Sequence, residues 1–67
     1  GERGYYLMWQ VIKIVSTKAK ALEIENFLST EGFLIQLDEM SGGEYQIKVP
    51  QSEADDVYEA LKELNMG

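Results

Sequence analysis

Residues 33–37 and 45–49 alternate apolar with mostly polar positions and are joined through Ser41, Gly42 and Gly43. Successive side chains of an extended strand leave opposite faces, so Phe33, Ile35 and Leu37 share one side while Leu34, Gln36 and Asp38 share the other. Tyr45, Ile47 and Val49 repeat the pattern against Gln46 and Lys48. Two such segments around a glycine-containing connection predict a β-hairpin with one face made to be covered, and a loop over residues 38–44 whose two glycines supply positive φ angles.

Amphipathic stretches on both sides supply the cover. Ser16 or Thr17 is placed to cap a helix running to about Thr30, with Ala21, Ile24, Phe27 and Leu28 on one stripe and Leu22 off it. Gly32 follows as a left-handed helix stop, with Phe33 folding back as its hydrophobic clasp. Pro50 ends the last strand. Ser52 is expected to cap a second helix, with Asp55 three residues on and Glu53, Asp55 and Asp56 complementing the positive end of the dipole. The expected buried stripe of that helix is Ala54, Val57, Leu61 and Leu64.

Before the first helix, residues 7–15 read as a strand that is apolar on both sides. Met8, Gln10, Ile12 and Ile14 are assigned to the core, because the other parity would bury the ammonium of Lys13 at a cost of several kcal/mol on the order expected for an unpaired charge. Trp9, Val11 and Val15 then lie outside. The order strand, helix, strand, strand, helix closes most simply with the third strand between the other two, an antiparallel α+β sheet of order 1-3-2 with both helices on one face. This is similar to a ferredoxin-like fold truncated by its last strand, so the outer edge of the first strand is open. Residues 1–4 are read as a tail, 5–67 as one βαββα domain, and Met8 as a candidate natural start.

Composition excludes whole classes of chemistry. With 67 residues, such a core supplies only about 3–5 kcal/mol. There is no cysteine and no histidine, which removes disulfides, the usual zinc sites and all thiol or imidazole mechanisms. Twelve acidic against six basic residues give a formal charge of −6, a field that repels nucleic acid and anionic lipid. The apolar runs are too short to span a bilayer. These features read as a cytoplasmic protein with no cofactor, no nucleic-acid partner and no membrane partner.

The spacing Ala21, Ile24, Leu28, Gly32, Phe33, then Val49, Pro50, Ala54, Val57 and Leu61, resembles small bacterial signal-transducing domains of unknown function. The resemblance covers about residues 9–64. It also extends to short clostridial-type proteins that begin Met-Trp and sometimes carry a glutamate decarboxylase label. What it implies is the βαββα fold and a regulatory or interaction role. Ser16, Thr17 and Lys18 depart from the Pro-Asn turn of that family. The decarboxylase label does not fit, since a pyridoxal phosphate enzyme needs a lysine Schiff base in a large pocket and a phosphate cradle.

Three places are candidates for function. Trp9, Val11, Val15 and Leu34, rimmed by Lys13, Gln36, Gln46 and Lys48, form an expected partner-binding face, unless Tyr5, Tyr6 and Leu7 fold back over it. Ser16, Thr17, Lys18 and Lys20 surround a helix N-terminus that could hold a small anion, against the plainer reading of a cap with solvated lysines. Asp38, Glu39, Glu44, Asp55 and Asp56 lack the spacing of a calcium loop and read as a solvated rim. Serines 16, 29, 41 and 52 have no imidazole to activate them. The expectation is a non-enzymatic module acting through protein contact or homodimerisation, with small-anion or metabolite sensing at the first turn as the alternative.

Overall fold

The computed structural model describes residues 8–64; the expected tail and Tyr5, Tyr6 and Leu7 lie outside them. The elements are β1 (Trp9–Val15), α1 (Lys18–Thr30), β2 (Gln36–Glu39), β3 (Tyr45–Pro50) and α2 (Ala54–Glu63), with a 3₁₀ turn over Gln51–Glu53 leading into α2. The sheet is antiparallel in the order β1-β3-β2, as the α+β reading requires. Ile47 and Val49 of the middle strand are fully buried in one cluster with Ala21, Ile24 and Leu28 of α1 and Ala54, Val57 and Leu61 of α2. Both helices therefore roof the same face.

Local chemistry sets the ends of α1. The hydroxyl of Thr17, rather than that of Ser16, accepts from the amide of Lys20 at 3.1 Å. At the other end Phe33 N–H donates to the Leu28 carbonyl and Gly32 N–H to that of Ser29, each at 3.0 Å. This is the paired bonding of a Schellman stop, and it needs the left-handed backbone that Gly32 adopts at φ +96°. Phe33 packs against the core from there.

In the hairpin, Gly43 N–H donates to the Met40 carbonyl at 3.0 Å and Met40 N–H to that of Glu44 at 2.7 Å. Gly43 has φ +87° and Gly42 does not turn positive, so one of the two glycines is needed for its conformation where both were expected to be. That is the geometry of a three-residue connection, in which one left-handed residue follows a tight turn. β2 begins at Gln36 rather than Phe33. Continuing its register would set Leu34 against Pro50, which has no N–H to give.

The first strand departs from the expected alternation. Gln10 faces Val49 and Val11 faces Lys48, but it is Lys13 that faces Ile47, followed by Ile14 opposite Gln46 and Val15 opposite Tyr45. Ile12 is the extra residue of a β-bulge, and beyond it the two faces exchange. Val15, expected outside, is 7% exposed; Ile14, expected in the core, is 51% exposed. Ile12 packs against the core as assigned. Under strict alternation Ile12 and Val15 point to opposite sides, and the bulge lets both face the helices. Lys13 accompanies them, half-buried, at no prohibitive cost because an edge strand lets its stem lie on apolar surface while the ammonium reaches water.

Three further expectations are corrected. Met8 is 63% exposed, outside the core. Ser52 does not cap α2: it lies within the 3₁₀ turn, the N-cap position falls to Glu53, and no side chain bonds there. A cap needs a residue still outside the helical backbone region, and the 3₁₀ turn has already begun at Gln51. Leu64, past the end of α2, is 42% exposed, whereas Asp55 and Asp56 occupy the first turn as read.

Two sets of substitutions test these features. Gly32→Ala and Gly43→Ala each meet open space but at positive φ, so each is expected to cost about 1 kcal/mol and lower Tm by about 5 °C. Gly42→Ala, whose Cβ meets its first neighbour at 3.8 Å, should leave the melting curve unchanged. Across the bulge, Val15→Asp should abolish cooperative folding, whereas Ile14→Asp should shift the denaturation midpoint little; equal effects would refute the register.

Candidate functional site

The bulge decides what the uncovered face of the sheet carries. Across the three strands Val11, Lys48 and Gln36 form one row, and Ile14, Gln46 and Asp38 the next. Trp9 lies opposite Pro50 at one end, and Leu34, two residues before Gln36, extends the same side. Val11 is 39% exposed, Ile14 and Leu34 51% each, and Trp9 is half-buried. The apolar side chains follow β1, with Leu34 at the far corner, and the polar ones fill the columns of β3 and β2.

Those polar residues bond to one another. Lys48 Nζ pairs with Asp38 Oδ2 on the neighbouring strand, and Gln36 Nε2 donates to Asp38 Oδ1 at 3.3 Å. Register places Lys48 directly opposite Gln36, so the ion pair runs diagonally across the ladder. The Lys48 bond first, and the Gln36 bond second, hold the Asp38 carboxyl below its ordinary value of 3.8, against a smaller opposing effect of desolvation. The pair is open to solvent, so screening keeps its contribution small.

Of the eight residues expected on the partner-binding face, Trp9, Val11, Leu34, Gln36, Gln46 and Lys48 share this face. Lys13 does not: the bulge turns it to the helix side opposite Ile47. Val15, expected beside them, is in the core. Ile14 takes the vacated position and was missed because both parities of the first strand are apolar, and a bulge at an isoleucine leaves no glycine to mark it.

At the first turn of α1, Ser16, Thr17, Lys18 and Lys20 are all exposed. The Thr17 hydroxyl and the Lys20 amide already bond to each other, and Lys20 Nζ lies 3.3 Å from Glu23 Oε1. No acidic residue occupies that turn, so the lysines oppose the helix dipole locally. Glu39, Glu44, Asp55 and Asp56 are exposed. Among the described residues no group of three or more His, Cys, Asp or Glu is placed to hold a metal ion, and no helix is long and apolar enough to cross a membrane.

No protein-family model matches this chain, and no curated protein or solved structure matches it.

The Asp38 network gives a pH signature. With its folded pKa depressed, Asp38 binds fewer protons than in the unfolded chain, so its contribution is complete above pH 3.8 and disappears as pH falls through the lowered value. Asp38→Asn and Lys48→Met should each flatten the same acid portion of the stability profile in urea titrations run at successive pH values. Retention of that slope in Lys48→Met would remove Lys48 as its cause.

Proposed function

We propose that the chain is a cytoplasmic, non-catalytic interaction module whose contact surface is the uncovered face of the sheet. One observation carries this reading: Val11, Ile14 and Leu34 stand exposed beside Trp9 on the face that neither helix covers. An apolar stripe beside a hydrogen-bonded polar field has the composition of a protein interface, with anchors to desolvate and a rim that stays wet. The fitting occupant is a folded protein surface that is itself part apolar and balanced in charge.

Anion sensing at the first turn has less support, because the Thr17 hydroxyl and the Lys20 amide and ammonium already have partners within the chain. Nucleic acid is disfavoured by the charge of −6.

The test is site-specific photocrosslinking in the native host, comparing a reactive side chain at position 14 with one at position 59 on the exposed side of α2. Adducts should form from position 14 and be lost when Val11→Asp is added. Adducts from position 59 alone would move the contact surface to the helices and overturn the reading.

A further inference from the structure

We infer that the occupant of the uncovered sheet face is a second copy of this chain, stacked face to face about a two-fold axis with the edges of β1 left unpaired. The inference rests on the reading of that face as the contact surface and names its partner.

Charge is the first argument. The chain carries a formal −6, yet among the described residues the uncovered face holds one charge of each sign, Lys48 and Asp38, already paired. Behind the sheet, Glu23 and Glu25 of α1 are balanced by Lys18 and Lys20, while Asp55, Asp56, Glu59 and Glu63 of α2 face only Lys62 and leave that helix acidic. Two copies meeting through their sheets keep the two acidic α2 helices at opposite ends of the assembly, whereas an approach through α2 sets like charges together. A surface with one cation and one anion is also self-complementary under a two-fold rotation, since each copy offers what the other accepts. A strongly acidic or strongly basic partner finds no net opposite charge there.

Edge pairing, the other route to a dimer, is obstructed on both sides. The bulge at Ile12 breaks the regular spacing of β1 halfway along, and bulges are among the devices that keep edge strands from adding another strand. β2 is four residues long and ends in Asp38 and Glu39, short and charged in the same protective way. Among the described residues the face is what remains open: their thinnest Cα extent is 16 Å, the thickness of one sheet and one helix layer.

Size sets the strength. Three strands about 4.8 Å apart and a seven-residue β1 at about 3.3 Å per residue make a face of about 14 Å by about 23 Å. That is smaller than the roughly 800 Å² per partner of a standard interface, so the dimer belongs to the weak, concentration-dependent class. Salt should not dissolve it, because screening relieves the repulsion between acidic copies more than it weakens one exposed ion pair.

Sedimentation equilibrium of the full chain from about 10 µM to about 1 mM spans the range for such an association. Dimer should accumulate toward the upper end and persist in high salt. Ile14→Asp should raise the dissociation constant about tenfold or more, and Glu63→Gln on α2 should leave it within about twofold, with circular dichroism confirming that both variants are folded. Hydrogen exchange across the same range separates the two geometries. Association that leaves the β1 amides not bonded to β3 unprotected supports the stack, and protection appearing in those amides would overturn it in favour of edge pairing. A chain that stays monomeric throughout, or a dimer indifferent to Ile14→Asp, also overturns it. If a monomeric chain still crosslinks from position 14 to a different protein, the contact-face reading stands and only the second copy as occupant falls.

Discussion

Ile47 and Val49 belong to the middle strand, so their backbone is flanked by β1 and β2 while their side chains go under both helices. Each such fully buried aliphatic side chain contributes about 1.5–3 kcal/mol by leaving water, a large share of what a chain of this size can assemble. The other elements take their positions from that burial. α1 sets Ile24 and Leu28 over it, α2 sets Val57 and Leu61, and β1 bulges so that Ile12 and Val15 both turn toward it.

A core gathered on one side leaves the other side of the sheet without a helical layer among the described residues. All six of the largest fully buried side chains come from the middle strand and the two helices, and none comes from β1 or β2. The edge strands therefore remain half-committed, and their outward residues are free to differ in character from the core. Here they divide into an apolar column on β1 and a bonded polar field on β2 and β3. The proposed contact reading draws on that division, and the absence of histidine and cysteine leaves the chain without an imidazole or a thiol.

Much of the fold was legible because its signals are local. Gly32 followed by Phe33 specifies a helix stop within five residues, and Thr17 needs only the amide of Lys20. The 33–37 and 45–49 alternation assigned every side chain of the hairpin to its correct face, even though β2 itself starts later than expected. The stripe of α1 and the first three members of that of α2 are likewise set by helical period alone. Ser52 misled because the 3₁₀ turn after Pro50 takes it into helical backbone before it can cap, and Leu64 because α2 ends one residue too soon to bury it.

For the face away from the helices, the amino-acid order alone set Leu34, Gln36 and Asp38 apart from Phe33, Ile35 and Leu37. Trp9 and Val11 were placed there on an argument from Lys13 that the bulge overturns, since Lys13 itself turns toward the helices. Tertiary structure alone decided that Ile14 joins them while Val15 and Lys13 leave. A strand apolar on both sides has two acceptable parities, and the choice between them, or a bulge that uses each in turn, depends on how much volume two helices leave open beneath them. That volume is a property of distant residues brought together.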